Sequence, residues 1–227
     1  MKSDDFILIE SKRMDIYKTL SSFFQLPGTD IDDIDIQLKN FEKQLESLDS
    51  KSLDALKKMR GGLYNLNHHD DLLTDFSKLF IGPYNLLAPP YGSVYLEDGN
   101  RIMGESTADV IQKYRAAGIA ISDDFKEAPD HISAELEFMY FLIFKEISSF
   151  QSDTAETFLT FLFQQKEFLQ QHLGRWVEKL SIRIDQHAKF DFYRNLATVT
   201  CIFVKEDLDY LCDFDISGME KISDETI

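Results

Sequence analysis

Apolar side chains recur every three or four positions along most of the chain, which is the spacing of one face of an α-helix. No alternating stretch is long enough to predict a sheet. The pattern therefore predicts an all-α fold of about nine or ten helices in a single domain spanning residues 1–227, with an acidic tail from about residue 213 that frays. The predicted helices cover about 5–24, 30–45, 52–66, 70–80, 106–118, 130–149, 153–174, 175–187 and 191–211.

The predicted helix at about 130–149 differs from the others because apolar residues surround it almost completely. A helix of this kind lies at the centre of a bundle. We therefore expect it to be the buried central helix, with Phe141 and Phe144 in the core. Trp176, near the start of a later helix, is interpreted as another core residue, and Gly174 as the end of the helix before it.

Residues 82–104 form the one long stretch without helical periodicity. The stretch holds three of the five prolines, which are Pro83, Pro89 and Pro90. Structureless segments of this length are uncommon in compact domains unless they carry function. Its best candidate for a short strand or a helical turn is residues 93–96.

The chain is strongly acidic, since 24 Lys and Arg residues against 40 Asp and Glu residues give a net charge of −16. A surface of this sign repels phosphate backbones, so we expect no nucleic acid partner. The charge favours a cationic partner, although solubility alone would explain the same excess.

The two cysteines, Cys201 and Cys212, lie in the last predicted helix. Eleven positions of helix place them about 16 Å apart along the axis, too far to form a disulfide, and two free thiols fit a reducing compartment. The first 15 residues lack the apolar core of a signal peptide, and no run of about 18 apolar residues would span a membrane. The sequence therefore predicts a cytoplasmic protein.

One cluster of ionisable residues, Glu127, Asp130 and His131, lies at the entry to the predicted central helix. On structural grounds alone, Asp130 would cap that helix and His131 would lie at the edge of the core. A metal site would need further ligands that the sequence does not offer, and no histidine has Glu three positions before it, as di-iron bundles require. Since the motifs GxxxxGK[ST], GxGxxG, HExxH and GxSxG are also missing, we expect neither cofactor nor metal.

Five segments occur in an order and spacing that resembles the TorD/DmsD family of cytoplasmic chaperones for molybdenum-containing redox enzymes. The resemblance is strongest over residues 70–145, about a third of the chain. Where the family signature has Glu-Pro-x-Asp-His, this chain has EAPDH, so three residues match and the proline is displaced by one position. The segments are FIGP (80–83), APPYGSVY (88–95), MGEST (103–107), EAPDH (127–131) and ELEFM (135–139).

The resemblance implies a non-catalytic protein that binds the twin-arginine leader and the apo form of a molybdopterin-containing oxidoreductase of the DMSO/TMAO reductase type. Such a chaperone assists cofactor insertion and delays export until folding is complete. The resemblance further implies contact with components of the Tat translocase, weak binding of a guanine nucleotide, and either a monomer or a domain-swapped homodimer. The alternative is a small-molecule or nucleotide-dependent enzyme that uses Glu127, Asp130 and His131.

For the leader site, the resemblance directs attention to the signature and to the proline-rich stretch. The carboxylates of Glu127 and Asp130 suit the guanidinium groups of a leader, and we expect their charge to raise the pKa of His131. An aromatic groove would take the apolar part of the leader, although Phe76 fits an ordinary core position better. The predicted binding residues are Glu127, Asp130, His131, Pro89, Pro90, Tyr91, Ser93, Tyr95, Phe76 and Phe80.

Overall fold

A computed structural model of the chain describes residues 3–28, 30–66, 70–82, 86–99, 101–121, 126–152 and 155–214. Within those ranges the chain forms ten α-helices and one π-helical turn, with no β-strand, so the predicted all-α fold is confirmed. Pro83 and the tail after 214 lie outside the described residues. The helices are α1 (Ser3–Phe23), α2 (Ile31–Ser47), α3 (Leu53–Leu63), α4 (Asp70–Phe76), α5 (Gly92–Leu96), α6 (Glu105–Ala116), α7 (Ile132–Gln151), α8 (Ala155–Gln171), α9 (Leu173–His187) and α10 (Asp191–Asp213).

The central helix is α7, which packs against α1 and α8. Leu136, Met139 and Leu142 on this helix are fully buried, as the sequence predicts. The expectation for Phe144 is wrong, since 48% of its surface is exposed, and Phe141 is only partly buried. Apolar residues occupy all sides of α7, but its neighbours cover only some of them, and the stripe that carries Phe144 faces solvent.

Gly174 lies in the first turn of α9 and does not end α8, which stops at Gln171. A Cβ atom at this position would come within 2.4 Å of the carbonyl oxygen of Leu169. The glycine is therefore required by the close approach of the preceding helix rather than by a helix terminus. Trp176 is fully buried two residues later, which confirms its interpretation as a core residue.

Two further segments differ from the predicted elements. The helix expected to end at Phe80 is instead α4 followed by a π-helical turn over Ser77–Ile81. The irregular stretch contains α5, so its best candidate segment forms a helical turn and not a strand. The start of α6 is stabilised from outside that helix, because the carboxylate of Glu97 accepts a hydrogen bond of 2.7 Å from the backbone N–H of Ser106.

A buried cluster of charged residues joins α1 to α8 and α10. The Arg13 guanidinium donates to both carboxylate oxygens of Asp207 at 2.5 and 3.0 Å, to Glu10, and to the side-chain oxygen of Gln165 at 3.0 Å. Arg13 and Asp207 are each only 3% exposed, and Glu10 is fully buried. Charge pairing inside the bundle therefore holds together helices that lie far apart in the sequence.

Cys201 and Cys212 on α10 are both free thiols, the first buried and the second exposed. None of the helices described is long and apolar enough to cross a membrane.

Candidate functional site

The proline-rich stretch and the signature are paired directly by their backbones. Tyr91 and His131 form an antiparallel β-bridge. The N–H of Gly92 donates to the carbonyl of Asp130 at 2.9 Å, and the N–H of Ile132 donates to the carbonyl of Pro90 at 2.8 Å. Two segments that the sequence analysis associates only through the family resemblance therefore form one unit at the start of α7.

The residue that caps α7 is His131 and not Asp130. The Nδ1 atom of His131 accepts a hydrogen bond from the N–H of Ser133 at 3.2 Å and lies 2.7 Å from the Ser133 hydroxyl. The Asp130 carboxylate turns the other way and accepts a hydrogen bond of 2.7 Å from the N–H of Ser93. The turn in which the N–H of His131 donates to the carbonyl of Ala128 sets these directions, so Asp130 stabilises the start of α5.

Tyr91 and Glu127 form the accessible part of this unit. The Tyr91 hydroxyl donates to Oε2 of Glu127 at 2.6 Å, and the ring of Tyr91 meets the ring of His131 edge to face at 5.3 Å. Burial and the bond to Glu127 raise the pKa of the Tyr91 phenol, so the hydroxyl keeps its proton and donates. Glu127 is exposed, whereas only 1% of Asp130 is exposed.

The imidazole of His131 is neutral near pH 7. Burial lowers the pKa of His131 from 6.5 to about 4 and outweighs the opposite effect of the carboxylates of Glu127 and Asp130. The expectation of a raised pKa for His131 is therefore wrong, because burial outweighs the two carboxylates. A neutral ring is what the cap requires, because Nδ1 must accept a hydrogen bond from the N–H of Ser133.

The lowered pKa of His131 predicts a loss of stability in acid. Protonation favours the unfolded chain, so the contribution of His131 is complete above about pH 6.5 and falls away as the pH drops toward 4, by roughly 3 kcal/mol in all. In His131→Asn the side chain caps the helix without titrating. The difference in free energy of unfolding between parent and variant, measured by urea denaturation across this pH range, should move in the variant's favour as the pH falls. If the free energy of unfolding falls equally with pH in the parent and in His131→Asn, the lowered pKa of His131 is contradicted.

On its other side, α5 packs against a buried pair of hydrogen-bonded side chains, one from α7 and one from α9. The indole N–H of Trp176 donates to Oε2 of Glu135 at 2.9 Å. The ring of Tyr95 on α5 stacks on Trp176 with centroids 5.7 Å apart and an interplanar angle of 11°. Sequence reasoning did not assign Glu135 to the site, although a carboxylate on an otherwise apolar face of the central helix was a signal for it.

The structure separates the predicted binding residues into two groups. Phe76 and Phe80 are 6% exposed and lie in the core, where their rings meet each other at 5.0 Å and both contact Tyr193. These two rings therefore offer no groove surface. The unit at the start of α7 and the adjoining α5 contain the others, which are Pro89, Pro90, Tyr91, Ser93, Tyr95, Glu127, Asp130 and His131.

The chain belongs to the family described as nitrate reductase delta subunit, whose family model matches residues 40–181. The match includes both segments of the bridged unit. The resemblance to the TorD/DmsD family drawn from the sequence motifs is confirmed.

Curated relatives resemble the chain over most of its length. The "Chaperone protein TorD" of Vibrio atlanticus is 27% identical over 207 residues, which cover 88% of this chain and 94% of the relative. The protein of the same name from Aliivibrio salmonicida is 29% identical over 215 residues, with coverage of 88% and 94%. Among solved structures, a protein from Archaeoglobus fulgidus described as a redox enzyme maturation protein has the same fold, with a TM-score of 0.52, 18% identity and coverage of 85% and 93%.

Proposed function

We propose that this protein is a cytoplasmic chaperone for the maturation of a molybdopterin-containing oxidoreductase of the DMSO/TMAO reductase type. It binds the twin-arginine leader and the apo form of that enzyme's catalytic subunit and catalyses no reaction itself. Family membership and the named relatives support the chaperone role. The single observation that carries the leader-binding role is the exposed carboxylate of Glu127 beside Tyr91, on a chain with a net charge of −16.

Glu127 is the carboxylate that an arginine of the leader reaches first. Its side chain is exposed, and its hydrogen-bond partner among the described residues is the neutral phenol of Tyr91, which a guanidinium group replaces with a stronger charge-assisted hydrogen bond. The ring of Tyr91, only half-buried, then lies beside the bound arginine, where the face of an aromatic ring attracts a cation. The acidic surface steers a basic leader toward this position.

Asp130 acts differently from Glu127, because its carboxylate is buried and bonded to the N–H of Ser93. A leader arginine does not reach it unless α5 moves. We therefore infer that Asp130 positions α5 and Tyr91 rather than pairing with the leader. The alternative of an enzyme using Glu127, Asp130 and His131 is not favoured, since the last two already serve as backbone caps. Contact with Tat translocase components, guanine nucleotide binding and the oligomeric state stay predictions from the family resemblance.

The experiment is calorimetric titration with a synthetic twin-arginine leader peptide. Glu127→Gln keeps the shape and the acceptor for Tyr91 but removes the charge, so affinity should fall by about 1.5–3 kcal/mol. Asp130→Asn should lower the affinity less, because an amide oxygen still accepts a hydrogen bond from the N–H of Ser93. The matched control is Glu156→Gln, an exposed carboxylate in the first turn of α8, which follows the far end of α7, about 30 Å along α7 from the signature.

A second control replaces the arginine pair of the peptide by glutamine, which should remove the difference between Glu127→Gln and the parent. If Glu127→Gln binds the arginine peptide as tightly as the parent does, the carboxylate of Glu127 is not the leader's partner. If the parent does not bind the peptide at all, the leader-binding role itself is wrong.

A further inference from the structure

We propose that Glu135 and Trp176 are positioning residues for the leader surface: their hydrogen bond fixes α5, and α5 in turn holds Asp130 and Tyr91 in place. The expected effect on leader affinity rests on the proposed function. Its structural part, that α5 depends on this pair, is independent of any leader.

The first step is the contact between α5 and the pair. A Cβ atom at Gly92 would lie 3.0 Å from Nε1 of Trp176 and 3.1 Å from Oε1 of Glu135. The first residue of α5 therefore packs so closely on the two bonded side chains that a Cβ atom there would require α5 or the pair to move by a few tenths of an ångström. Any shift of Glu135 or Trp176 is transmitted directly to the backbone at Gly92.

The second step is that α5 is held at both ends, by α9 near Tyr95 and by Asp130 at its start. Tyr95 stacks on Trp176, and the Lys179 ammonium donates to the carbonyl of Tyr95 at 2.8 Å. At the other end, the N–H groups of Gly92 and Ser93 are bound by the backbone and side chain of Asp130. The five residues of α5 are thus the link between the signature turn and α9.

The third step concerns the chemistry of Glu135, which is fully buried and has no cation within hydrogen-bonding distance among the described residues. Burial raises the pKa of Glu135 well above its usual value and outweighs the opposite effect of the hydrogen bond from Trp176, while the nearby charge of Asp130 acts in the same direction as burial. A leucine would fill the same space in a core without this desolvation cost. What the carboxyl adds is an oxygen that accepts from the Trp176 indole.

Glu135 cannot touch a leader from its buried position, so it acts through α5. Glu135→Leu removes the acceptor and leaves the indole N–H unbound, and we expect leader affinity to fall about tenfold, which corresponds to about 1.4 kcal/mol. Glu135→Gln keeps an acceptor oxygen in a neutral side chain of the same shape and should restore binding. The matched control is Glu146→Leu, a second fully buried carboxyl on α7 that is bonded to Gln165, away from α5; it should bind the leader as the parent does.

Two measurements report on the packing of α5 in the absence of a leader peptide. Trp176 is the only tryptophan in the chain, so its emission reports on this contact alone. Hydrogen exchange at the N–H of Ser93 reports on its bond to Asp130. We expect Glu135→Leu to change the emission and to accelerate exchange at Ser93 about tenfold, and Glu135→Gln to change neither. If Glu135→Leu does not fold, Gly92→Ala provides the same test, because its Cβ pushes α5 away from the pair.

The outcomes separate the two ideas. If Glu135→Leu changes the emission and exchange but neither the parent nor any variant binds the leader, the proposed function is contradicted. The structural part of this inference would still hold. A folded Glu135→Leu or Gly92→Ala with the parent's emission, exchange and leader affinity would overturn the inference. Loss of leader affinity in Glu146→Leu to the same degree as in Glu135→Leu would also overturn it, because the effect would then be general to the core.

Discussion

Replacing Phe138 by Ala should lower the free energy of unfolding by about 3–5 kcal/mol. Phe138 is 3% exposed, and its ring meets Tyr114 at 4.6 Å and Phe168 at 4.7 Å, so it fills the space where α6, α7 and α8 meet. Truncation leaves a cavity that three helices must collapse to fill. A loss of this size is a large part of the stability of a typical domain, about 5–15 kcal/mol. Urea denaturation followed by helical circular dichroism measures it.

The matched control is Phe144→Ala, six residues later on the same helix. Its ring is 48% exposed, so truncation opens no cavity and should change the free energy of unfolding by less than about 1 kcal/mol. The comparison separates burial from helix position and residue type. Equal losses for the two variants would mean that the exposed stripe of α7 is covered in solution.

Replacing Arg13 by Met should also cost about 3–5 kcal/mol of stability. The carboxylates of Asp207 and Glu10 would lose the cation that both bind, at a position where almost none of their surface is exposed. Desolvated charges without a partner are much more costly than the pair is stabilising. The effect should appear in the same urea denaturation, with the helical spectrum of the folded state unchanged.

A surface ion pair provides the control for Arg13. Lys57 and Glu46 lie 3.7 Å apart, with side chains 47% and 51% exposed, and Lys57→Met should cost no more than about 1 kcal/mol. Adding Asp207→Leu to Arg13→Met should recover part of the loss, since fewer charges then remain buried. A loss in Arg13→Met no greater than in Lys57→Met would show that water enters the cluster.

The periodicity of the sequence predicts most helices of this fold, but it does not predict which side chain caps the central one. Asp130 is of a residue type that favours the N-cap and is the predicted cap, yet the neighbouring His131 occupies that position. The choice depends on the turn that ends at His131 and on the pairing with Tyr91, forty positions earlier in the sequence. Long-range pairing of this kind leaves no periodic signal. The motif resemblance directs attention to both segments without showing that they touch.

Burial on α7 could not be predicted for a related reason. When apolar residues occupy every side of a helix, the pattern no longer indicates which side lacks a neighbour, so Phe138 and Phe144 look equivalent. Gly174 shows a second limit. A glycine between two helical patterns usually ends a helix. Here it is needed because the backbone of the preceding helix comes too close for a Cβ atom, and only the folded structure shows this contact.

The partners of α1 lie in the second half of the chain. Arg13 binds Asp207 across 194 positions of sequence, and Tyr210 donates to Glu10 across 200. Synthesis adds about 5–20 residues per second, so α1 leaves the ribosome roughly 10–40 s before α10 does. During that interval Arg13 and Glu10 lack the partners that α10 supplies. This protein, which we propose binds an enzyme before that enzyme is fully folded, is therefore itself incompletely folded during its synthesis. Its charged cluster forms only after α10 has emerged.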